Sequence, residues 1–411
     1  MLYNFAIHFY SFLIFVASLF QKKAFLLKEG RKNIFSELDK LNLKNRPVWI
    51  HASSLGEFEQ GRPLIEEIKK RYPEQEIVLT FFSPSGYTIR KNYPLVDGVL
   101  YLPADTKRNA KRFVKILNPK IALFIKYEFW RNFLQQLQEN NVPTYLISGI
   151  FRPSQAFFKW YGKPYQRFLT FFSHFFVQNE LSFQLLDSIG IQDKSICGDT
   201  RFDRVADMVK NVAQNPIFEA FKQNSFTIVA GSTWADDEEL ILNFMNEYHS
   251  DINLIIAPHE IDEDNIKKII KNLKCETIRY TKIDEKTQLD KVKVLIIDNI
   301  GTLSSAYRYG EIAYIGGGFG NGIHNILEAA TYGIPIVFGV KYEKFQEAVD
   351  LVKLSGAFSI KSYVELYSLL DTLITDKVVR CKSGNISANY VQQNKGGTSK
   401  IMDKLQMFFE K

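Results

Sequence analysis

Two acidic residues in the first half of the chain directly follow segments that read as buried strands. Glu57 comes after the apolar run Val48–Ala52 and a short turn, and Glu128 comes after Ile121–Lys126. Ligands of parallel α/β sheets bind at the carboxyl ends of the strands, so both carboxylates occupy positions suited to chemistry. We predict that Glu57 is a general base, because such a loop can bring it within hydrogen-bond reach of a proton. The alternatives are a helix-capping role for Glu57 and a solvated side chain beside core aromatic residues for Glu128.

Small and polar residues follow predicted strands in the second half and suit a ligand that carries a phosphate. Gly231-Ser232-Thr233 follow Thr227–Ala230, and His259 follows Leu254–Ala257. Backbone N–H groups and hydroxyls of such turns can approach phosphate oxygens, and an imidazole can contact the same group. A plain turn into the next helix, with His259 as its cap, is the alternative.

The strongest local signal is the run of residues 315–328, which holds five glycines between a predicted strand and a predicted helix. The backbone must come close to another group there, and we predict that this run contacts a ligand. No register of the run satisfies G-x-G-x-x-G, so it is not the dinucleotide fingerprint. Asn325 and Glu328 are three residues apart and share one helical face, which suits ligand binding and a bond from a ribose diol to Glu328. A glycine-rich turn before an ordinary helix is the alternative.

The elements that must position these residues alternate along the chain. Short β-rich runs and helical patterns alternate from about residue 46 and again from about residue 226, which predicts parallel sheets covered by helices. We therefore predict an α/β fold of two doubly wound, Rossmann-like domains that face each other across a cleft. The predicted division is 1–22 as an anchor helix, 23–204 as the N-terminal domain, 205–225 as a polar linker and 226–411 as the C-terminal domain.

Composition and charge narrow the class of protein. The chain has 411 residues, of which 46% are hydrophobic and 24% charged, so it is a globular protein with material for two cores. Its three cysteines lie far apart, which excludes a disulfide framework and a sequence-evident zinc site. The formal net charge is +7, yet residues 1–49 alone hold eight Lys/Arg against three Asp/Glu. Because the excess is local and no nucleic-acid reading motif is present, we exclude nucleic acid as a partner.

The N-terminus is apolar over residues 5–20 and is followed at once by Lys22, Lys23 and Lys28. This run is shorter than the roughly 20 residues that span a bilayer, and its charges are not ordered as in a signal peptide. We predict a helix that anchors the chain in or across a membrane leaflet, with its basic flank on anionic lipid. A buried amphipathic helix is the alternative. Residues 151–176 contain 11 aromatic side chains and four Lys/Arg, and we expect this segment to meet lipid as well.

Two acidic clusters, Asp236–Glu239 and Asp262-Glu263-Asp264, are most simply solvated first turns of helices, where acidic residues are favoured. We therefore predict that the protein uses no metal, and we expect no other cofactor.

Five motifs in a fixed order make the chain resemble a known family. They are Ser54-Leu55-Gly56-Glu57, Glu128-Phe129-Trp130, Gly198-Asp199-Thr200-Arg201-Phe202-Asp203, Gly231-Ser232-Thr233 and His324-Asn325-Ile326-Leu327-Glu328-Ala329-Ala330. Together with the apolar, basic-flanked N-terminus, this order resembles the 3-deoxy-D-manno-octulosonic acid (Kdo) transferases, which build the inner core of lipopolysaccharide.

The resemblance implies a GT-B fold whose N-terminal domain handles a lipid A precursor and whose C-terminal domain binds CMP-Kdo. It implies an inverting, metal-independent transfer of Kdo to lipid IVA at the cytoplasmic face of the inner membrane. Glu57 is implied to be the general base. The other implied site residues are Ser54, Gly56, Glu128, Ser232, Thr233, His259, Gly316, Gly317, Gly318, His324, Asn325 and Glu328. For the implied chemistry we expect the backbone N–H groups of Gly316–Gly318 to stabilise the phosphate of CMP.

Three segments depart from the motifs that the family commonly shows. Pro258-His259-Glu260 stands in place of P-R-H, so an imidazole replaces a permanent positive charge. Residues 126–131 read K-Y-E-F-W-R in place of E-T-E-L-W-P, which loses one acid and the proline. Gly339-Val340-Lys341 stands in place of G-P-H.

Two alternative functions stay open: a GT-B enzyme that uses a UDP- or GDP-sugar, and an inactive membrane-anchored binding protein. The number of Kdo units, the acyl pattern of the acceptor and the oligomeric state do not follow from the sequence.

Overall fold

The computed structural model describes residues 2–211 and 213–410, which divide into two compact units. The first unit runs to Arg204 and also contains the segment from Lys395 onward, whereas the second unit is Val205–Asn394. The predicted linker, residues 205–225, therefore belongs to the second unit, where Phe218 and Phe221 are buried. The predicted C-terminal domain is wrong at its end, because residues from 395 onward pack with the first unit.

The first unit is built on a parallel sheet of seven strands within the described residues. The strands are β1 (Val48–Ala52), β2 (Ile77–Phe81), β3 (Gly98–Tyr101), β4 (Ile121–Ile125), β5 (Thr144–Gly149), β6 (His174–Val177) and β7 (Lys194–Ile196), in the order β3-β2-β1-β4-β5-β6-β7. Every residue of β1, β2 and β4 is buried, as expected of parallel strands that are covered on both faces.

Helices cover this sheet. They are α1 (Leu2–Ala17), α2 (Lys22–Gly30), α3 (Ile34–Asp39), α4 (Leu55–Arg71), α5 (Pro84–Arg90), α6 (Lys107–Leu117), α7 (Arg131–Glu139), α8 (Lys163–Leu169) and α9 (Glu180–Ser188), with a 3-10 turn at Ala156–Phe158. Helix α10 (Arg201–Asn211) runs from the first unit into the second.

The second unit repeats the architecture with another parallel sheet of seven described strands. They are β8 (Phe226–Thr233), β9 (Ile252–Pro258), β10 (Thr277–Arg279), β11 (Val294–Ile296), β12 (Ile312–Ile315), β13 (Ile336–Phe338) and β14 (Ala357–Ser359), in the order β10-β11-β9-β8-β12-β13-β14. The helices are α11 (Pro216–Lys222), α12 (Ala235–Glu247), α13 (Glu263–Lys271), α14 (Leu303–Ala306), α15 (Leu327–Ala330), α16 (Gln346–Leu354), α17 (Tyr363–Thr375) and α18 (Lys377–Asn394), with 3-10 turns at Tyr280–Lys282 and Tyr307–Tyr309.

The C-terminal segment closes one face of the first sheet. Helix α19 (Gly397–Leu405), followed by a 3-10 turn at Gln406–Phe408, buries Ile401, Met402 and Leu405 completely against residues of β1, β2 and β4. Burial of three such side chains contributes several kcal/mol, at roughly 1.5–3 kcal/mol each. The carboxylate of Asp203 accepts hydrogen bonds from Gly396 N and Thr398 N and so holds the start of this helix.

Helix α1 lies against the first unit through a polar edge near its start. The hydroxyl of Tyr3 donates to Asp105, and the side chain of Asn132 donates to Asn4. The rest of the helix exposes large apolar side chains, namely Phe5, Phe9, Phe12, Leu13, Phe15 and Val16. Over the described residues no helix combines the length and the apolar character needed to cross a bilayer.

Candidate functional site

Glu57 lies in the first turn of α4, beside the point where the strand order of the first sheet reverses. The loops after β1 and β4 leave neighbouring strands there, which is where open α/β sheets bind ligands. Ser54 precedes the helix, but it makes no side-chain cap; its hydroxyl donates instead to Glu57 Oε2. Glu57 is partly exposed, and Gly56 beside it is exposed. The carboxylate is therefore oriented by Ser54 and remains accessible to solvent, which supports a chemical role over capping.

Glu128 lies on the neighbouring loop, after β4, and is buried. Its Oε2 accepts a hydrogen bond of 2.5 Å from the indole of Trp130 and lies 3.1 Å from His51 Nε2. Nδ1 of the fully buried His51 lies 2.9 Å from Thr80 Oγ1. The interpretation of Glu128 as a solvated side chain is therefore wrong, because protein groups satisfy this carboxylate.

Sequence reasoning missed His51. It is the fourth residue of β1, and its imidazole links the carboxylate on the loop after β4 to β2 through Thr80. A polar residue inside an otherwise apolar strand, one position before the strand end, was the signal. Buried polar groups are normally paired, so its presence already implied a partner near the site.

The glycine run after β12 lies at the corresponding switch point of the second sheet, between β8 and β12. Gly316, Gly317 and Gly318 are all buried. Gly316 N donates to Gly231 O at 2.9 Å, and Gly317 N donates to Asp237 Oδ2 at 2.8 Å. Those two N–H groups are thus engaged within the protein, and the expectation that they would bind a phosphate does not fit this geometry.

Close backbone contacts explain why glycines occupy this run. A Cβ atom on Gly316 would lie 2.2 Å from Ser232 O, and one on Gly318 would lie 2.5 Å from Gly339 N. Both distances are far below normal contact, so a side chain on Gly316 would push the loop away from β8, and one on Gly318 would push it away from the segment after β13. Gly317 also has a φ of +92°, which disfavours other residues.

Three aromatic rings contact one another and bring two predicted residues together. The ring of His259 stacks against both Trp234 and His324, with ring centroids 4.4 and 4.6 Å away. The Trp234 indole donates to His324 Nε2 at 3.1 Å. Burial, with a smaller contribution from His259, lowers the pKa of His324 to about 4, so this imidazole is neutral at pH 7. Trp234 was missed in the sequence, although it directly follows Gly231-Ser232-Thr233.

Ser232 and Thr233, predicted as a phosphate-binding pair, differ in their surroundings. Ser232 is partly exposed at the end of β8, with φ at +54°, a left-handed conformation that is rare outside glycine and recurs at functional sites. The Thr233 side chain is buried, and its hydroxyl donates to Glu238 Oε1 at 3.2 Å. Ser232 is therefore the accessible member of the pair.

Asn325 and Glu328 contact each other as predicted from their spacing. Asn325 Nδ2 donates to Glu328 Oε1 at 3.2 Å, and Asn325 Oδ1 accepts from Leu327 N at the start of α15. Both side chains are partly exposed. The two side chains therefore meet, but Asn325 lies before α15 and so does not share a helical face with Glu328.

The motif of residues 198–203 has a structural task. Asp199 is buried and accepts hydrogen bonds from Gln60 and from the guanidinium of Arg201. Burial opposes ionisation, but Arg201 outweighs it and holds the pKa of Asp199 below its usual value. Asp203 accepts hydrogen bonds from the start of α19, and Asp199 accepts one from Gln60 on α4. Both acids of the motif therefore connect parts of the first unit that are distant in sequence.

The acidic clusters behave differently from each other. Asp262 caps α13 by accepting from the backbone of Asp264 and Asn265, as expected for a helix start. The prediction of a solvated turn at Asp236–Glu239 is wrong for Asp237 and Glu238, which are buried. Across residues 2–211 and 213–410, no group of three or more His, Cys, Asp or Glu side chains could hold a metal ion.

Comparison with known proteins places these residues in a family context. Residues 26–204 match the family model of 3-deoxy-D-manno-octulosonic-acid transferase (kdotransferase). A 3-deoxy-D-manno-octulosonic acid transferase of Aquifex aeolicus is 27% identical, with 90% of this chain and 96% of that protein aligned. Its counterpart in Haemophilus influenzae is 25% identical, over 89% of this chain and 87% of that protein.

Solved structures support the fold alone. The UDP-GlcNAc 2-epimerase of Neisseria meningitidis superimposes with a TM-score of 0.61 at 16% identity, covering 88% of this chain and all of that one. MurG of Acinetobacter baumannii superimposes with a TM-score of 0.53 at 10% identity, over 88% of this chain and 100% of that one. The fold is thus α/β and GT-B-like, with one parallel sheet in each unit.

Proposed function

We propose that the chain is a Kdo transferase that moves Kdo from CMP-Kdo to a lipid A precursor, lipid IVA, because residues 26–204 match that family model and two 3-deoxy-D-manno-octulosonic acid transferases align with 89–90% of the chain. The proposed reaction inverts the configuration and needs no metal. The observation that carries the proposal is Glu57, an accessible carboxylate at the switch point of the first sheet that Ser54 orients.

Glu57 acts as the general base in this account. A hydroxyl oxygen of the acceptor attacks the anomeric carbon of Kdo while its proton passes to Glu57. The bond from that carbon to the phosphate oxygen breaks, and CMP leaves with the bonding electrons. A phosphate is a good leaving group, so a single carboxylate suffices, whereas glycoside hydrolysis uses a pair.

The second unit supplies the groups proposed to bind CMP. Ser232 is partly exposed at the carboxyl end of β8, the edge of the sheet where ligands of such folds bind, and it is proposed to contact the phosphate. His259 and His324 are proposed to contact the phosphate, and His324, which is neutral at pH 7, would do so through its single ring N–H. Glu328, positioned by Asn325, is proposed to accept from the ribose.

The first unit supplies the groups proposed to bind the acceptor. Trp130 is partly exposed and stacks on Phe82, with ring centroids 4.9 Å apart, so it can present one edge to a sugar ring. The indole N–H of Trp130 donates hydrogen bonds to Glu128 Oε2 and His51 Nε2, which fix the orientation of the ring. We therefore propose that Glu128 shapes the acceptor side of the site through Trp130.

We also propose that the protein sits on the cytoplasmic leaflet of the inner membrane. Helix α1, which exposes large apolar side chains, contacts the segment around α8 where Tyr3 packs on Phe168, with ring centroids 5.8 Å apart. There Trp160 is 94% exposed, with Tyr161 and Tyr165 exposed beside it. Aromatic side chains favour the membrane interface, and the nearby lysines suit anionic lipid. A helix that lies in the leaflet needs no spanning length.

The experiment that tests the proposed reaction is a mass spectrum of a tetra-acylated lipid A precursor after incubation with CMP-Kdo and the detergent-solubilised protein. A mass gain of one or more Kdo units supports the proposal and also gives their number. Parallel incubations with UDP- and GDP-sugars test the alternative donors. Transfer from one of those sugars, with none from CMP-Kdo, would contradict the proposal.

A further inference from the structure

Two cations and a tyrosine meet on the loops next to Glu57. Strands β1, β4 and β5 are neighbours in the first sheet, so the loops that follow them adjoin at its carboxyl edge. Lys126 directly follows β4, and Arg152 lies in the loop after β5. Lys126 Nζ is 5.4 Å from the centroid of the Tyr127 ring, and Arg152 Cζ is 5.7 Å from the same centroid.

The backbone holds one of these cations in an unusual conformation. Lys126 has a φ of +71°, in the left-handed region that non-glycine residues avoid, while its N–H donates to Ile147 O at 2.9 Å. Such strain persists only where the surrounding structure imposes it, and it clusters at ligand sites. The conformation turns the chain directly after the strand, where Tyr127 and Glu128 follow.

The same loops contain the proposed base. Burial raises the pKa of the partly exposed Tyr127; Arg152 opposes this shift, and the charge of Glu57 adds to it. Tyr127 therefore lies within the electrostatic reach of both Arg152 and Glu57. Among the side chains that the structure describes, Arg152 is exposed and pairs with no carboxylate.

Both cations lie within about 6 Å of the Tyr127 centroid, so an anion that binds beside this ring meets two positive charges. Guanidinium and ammonium groups donate charge-assisted hydrogen bonds to phosphate and carboxylate oxygens. Lys126 also stands where the family's motif commonly carries an acid, so this chain has reversed the charge at that position.

We propose that Lys126 and Arg152 form a subsite that binds an anionic group of a substrate next to the hydroxyl that Glu57 deprotonates. The inference rests on the proposed function and names the chemistry that this loop cluster recognises. The anion is either a phosphate of the lipid A precursor or the carboxylate of the Kdo that is transferred.

The test is steady-state kinetics of Arg152→Gln and Lys126→Met, with both substrates varied. Loss of a charge-assisted hydrogen bond raises one KM by about 10-fold or more for each variant. A rise in the acceptor KM, absent when the acceptor lacks its phosphates, identifies the phosphate. A rise in the donor KM, with the acceptor KM unchanged, identifies the carboxylate. Arg152→Lys keeps the charge and is expected to recover most of the loss.

Lys111→Met is the matched control, because Lys111 is exposed on α6 of the same unit. Both KM values within twofold of the wild type in Arg152→Gln and Lys126→Met would overturn the inference. A second readout needs no turnover: inorganic phosphate should raise the unfolding temperature of the wild type more than that of Arg152→Gln, and equal shifts would also count against the subsite. If the wild-type protein transfers no Kdo, the proposed function fails, and the phosphate readout still decides whether the anion subsite exists.

Discussion

Asp237 determines whether the glycine run keeps its shape. Its carboxylate accepts from Gly317 N at 2.8 Å, from Trp234 N at 3.0 Å and from the Tyr314 hydroxyl at 2.8 Å. In Asp237→Ala two buried donors and the partly buried Trp234 N–H lose their acceptor, at about 1–3 kcal/mol each, so we expect a loss of at least about 3 kcal/mol.

Asp237→Asn provides the matched control. The amide oxygen can accept from both N–H groups that now meet Oδ2, and the NH₂ group can donate to the oxygen of Tyr314. Burial raises the pKa of Asp237, so the neutral amide also avoids the cost of a buried charge. We therefore expect Asp237→Asn to stay within about 1 kcal/mol of the wild type.

The assay is amide hydrogen exchange of a peptide that contains Gly317, read by mass spectrometry, because exchange reports local opening. A loss of 3 kcal/mol corresponds to at least about 100-fold faster exchange, at about 1.4 kcal/mol for each factor of ten. CMP binding measured by calorimetry should weaken in Asp237→Ala and persist in Asp237→Asn. Unchanged exchange in Asp237→Ala would refute the claim that this carboxylate holds the loop.

Three further predictions concern the first unit. Leu405→Ala should lower the free energy of unfolding of this unit by about 2–5 kcal/mol in urea, because Leu405 is fully buried against the first sheet. Burial raises the pKa of Asp105 to about 6 from 3.8, so the folded protein binds its proton more tightly and stability falls as pH rises from about 4 to about 6. The stability advantage of wild type over Asp105→Asn should shrink by roughly 3 kcal/mol across that window. Phe9→Ser, Phe12→Ser and Trp160→Ser together should weaken binding to anionic liposomes at least about 10-fold, since each side chain is exposed on the proposed membrane face.

Each of these predictions would be contradicted by a specific result. A Leu405→Ala protein as stable as the wild type would mean that α19 does not close the core. An advantage of wild type over Asp105→Asn that stays constant from pH 4 to pH 6 would contradict the buried titration of Asp105. For liposomes, Val364→Ser and Val378→Ser are the control, because both valines are 75% or more exposed but belong to the second unit. Equal liposome binding by the triple variant and the wild type would contradict the proposal that these side chains form a membrane-binding face.

The architecture was largely readable from the sequence, because buried parallel strands are continuous apolar runs. The strands missed were β7, β10 and β14, which lie at sheet edges and have three residues each. Edge strands of this length are partly exposed, so they carry neither an apolar run nor an alternation. The return of α19 to the first unit was also missed, since no local pattern records which sheet an amphipathic helix covers.

The site was predictable where chemistry depends on position along the chain and not where it depends on contacts. The position of Glu57 follows from its place after a strand end, and the contact between Asn325 and Glu328 follows from their three-residue spacing. Residue types alone did not indicate that the N–H groups of Gly316 and Gly317 donate hydrogen bonds within the protein. Asp237, which accepts one of these bonds, was predicted to be a solvated residue at a helix start. His51 and Trp234 are single aromatic residues whose partners lie 77 and 90 positions away, a separation that no local motif spans.

The most direct test of the account is the turnover number of Glu57→Gln with CMP-Kdo and the tetra-acylated acceptor, measured beside CMP affinity. Glutamine keeps the size of the side chain and its contact with Ser54 but cannot take a proton. The account predicts a fall in kcat of about 10²–10⁴-fold with CMP affinity unchanged. A kcat within a few-fold of the wild type would contradict the assignment of Glu57 as the base.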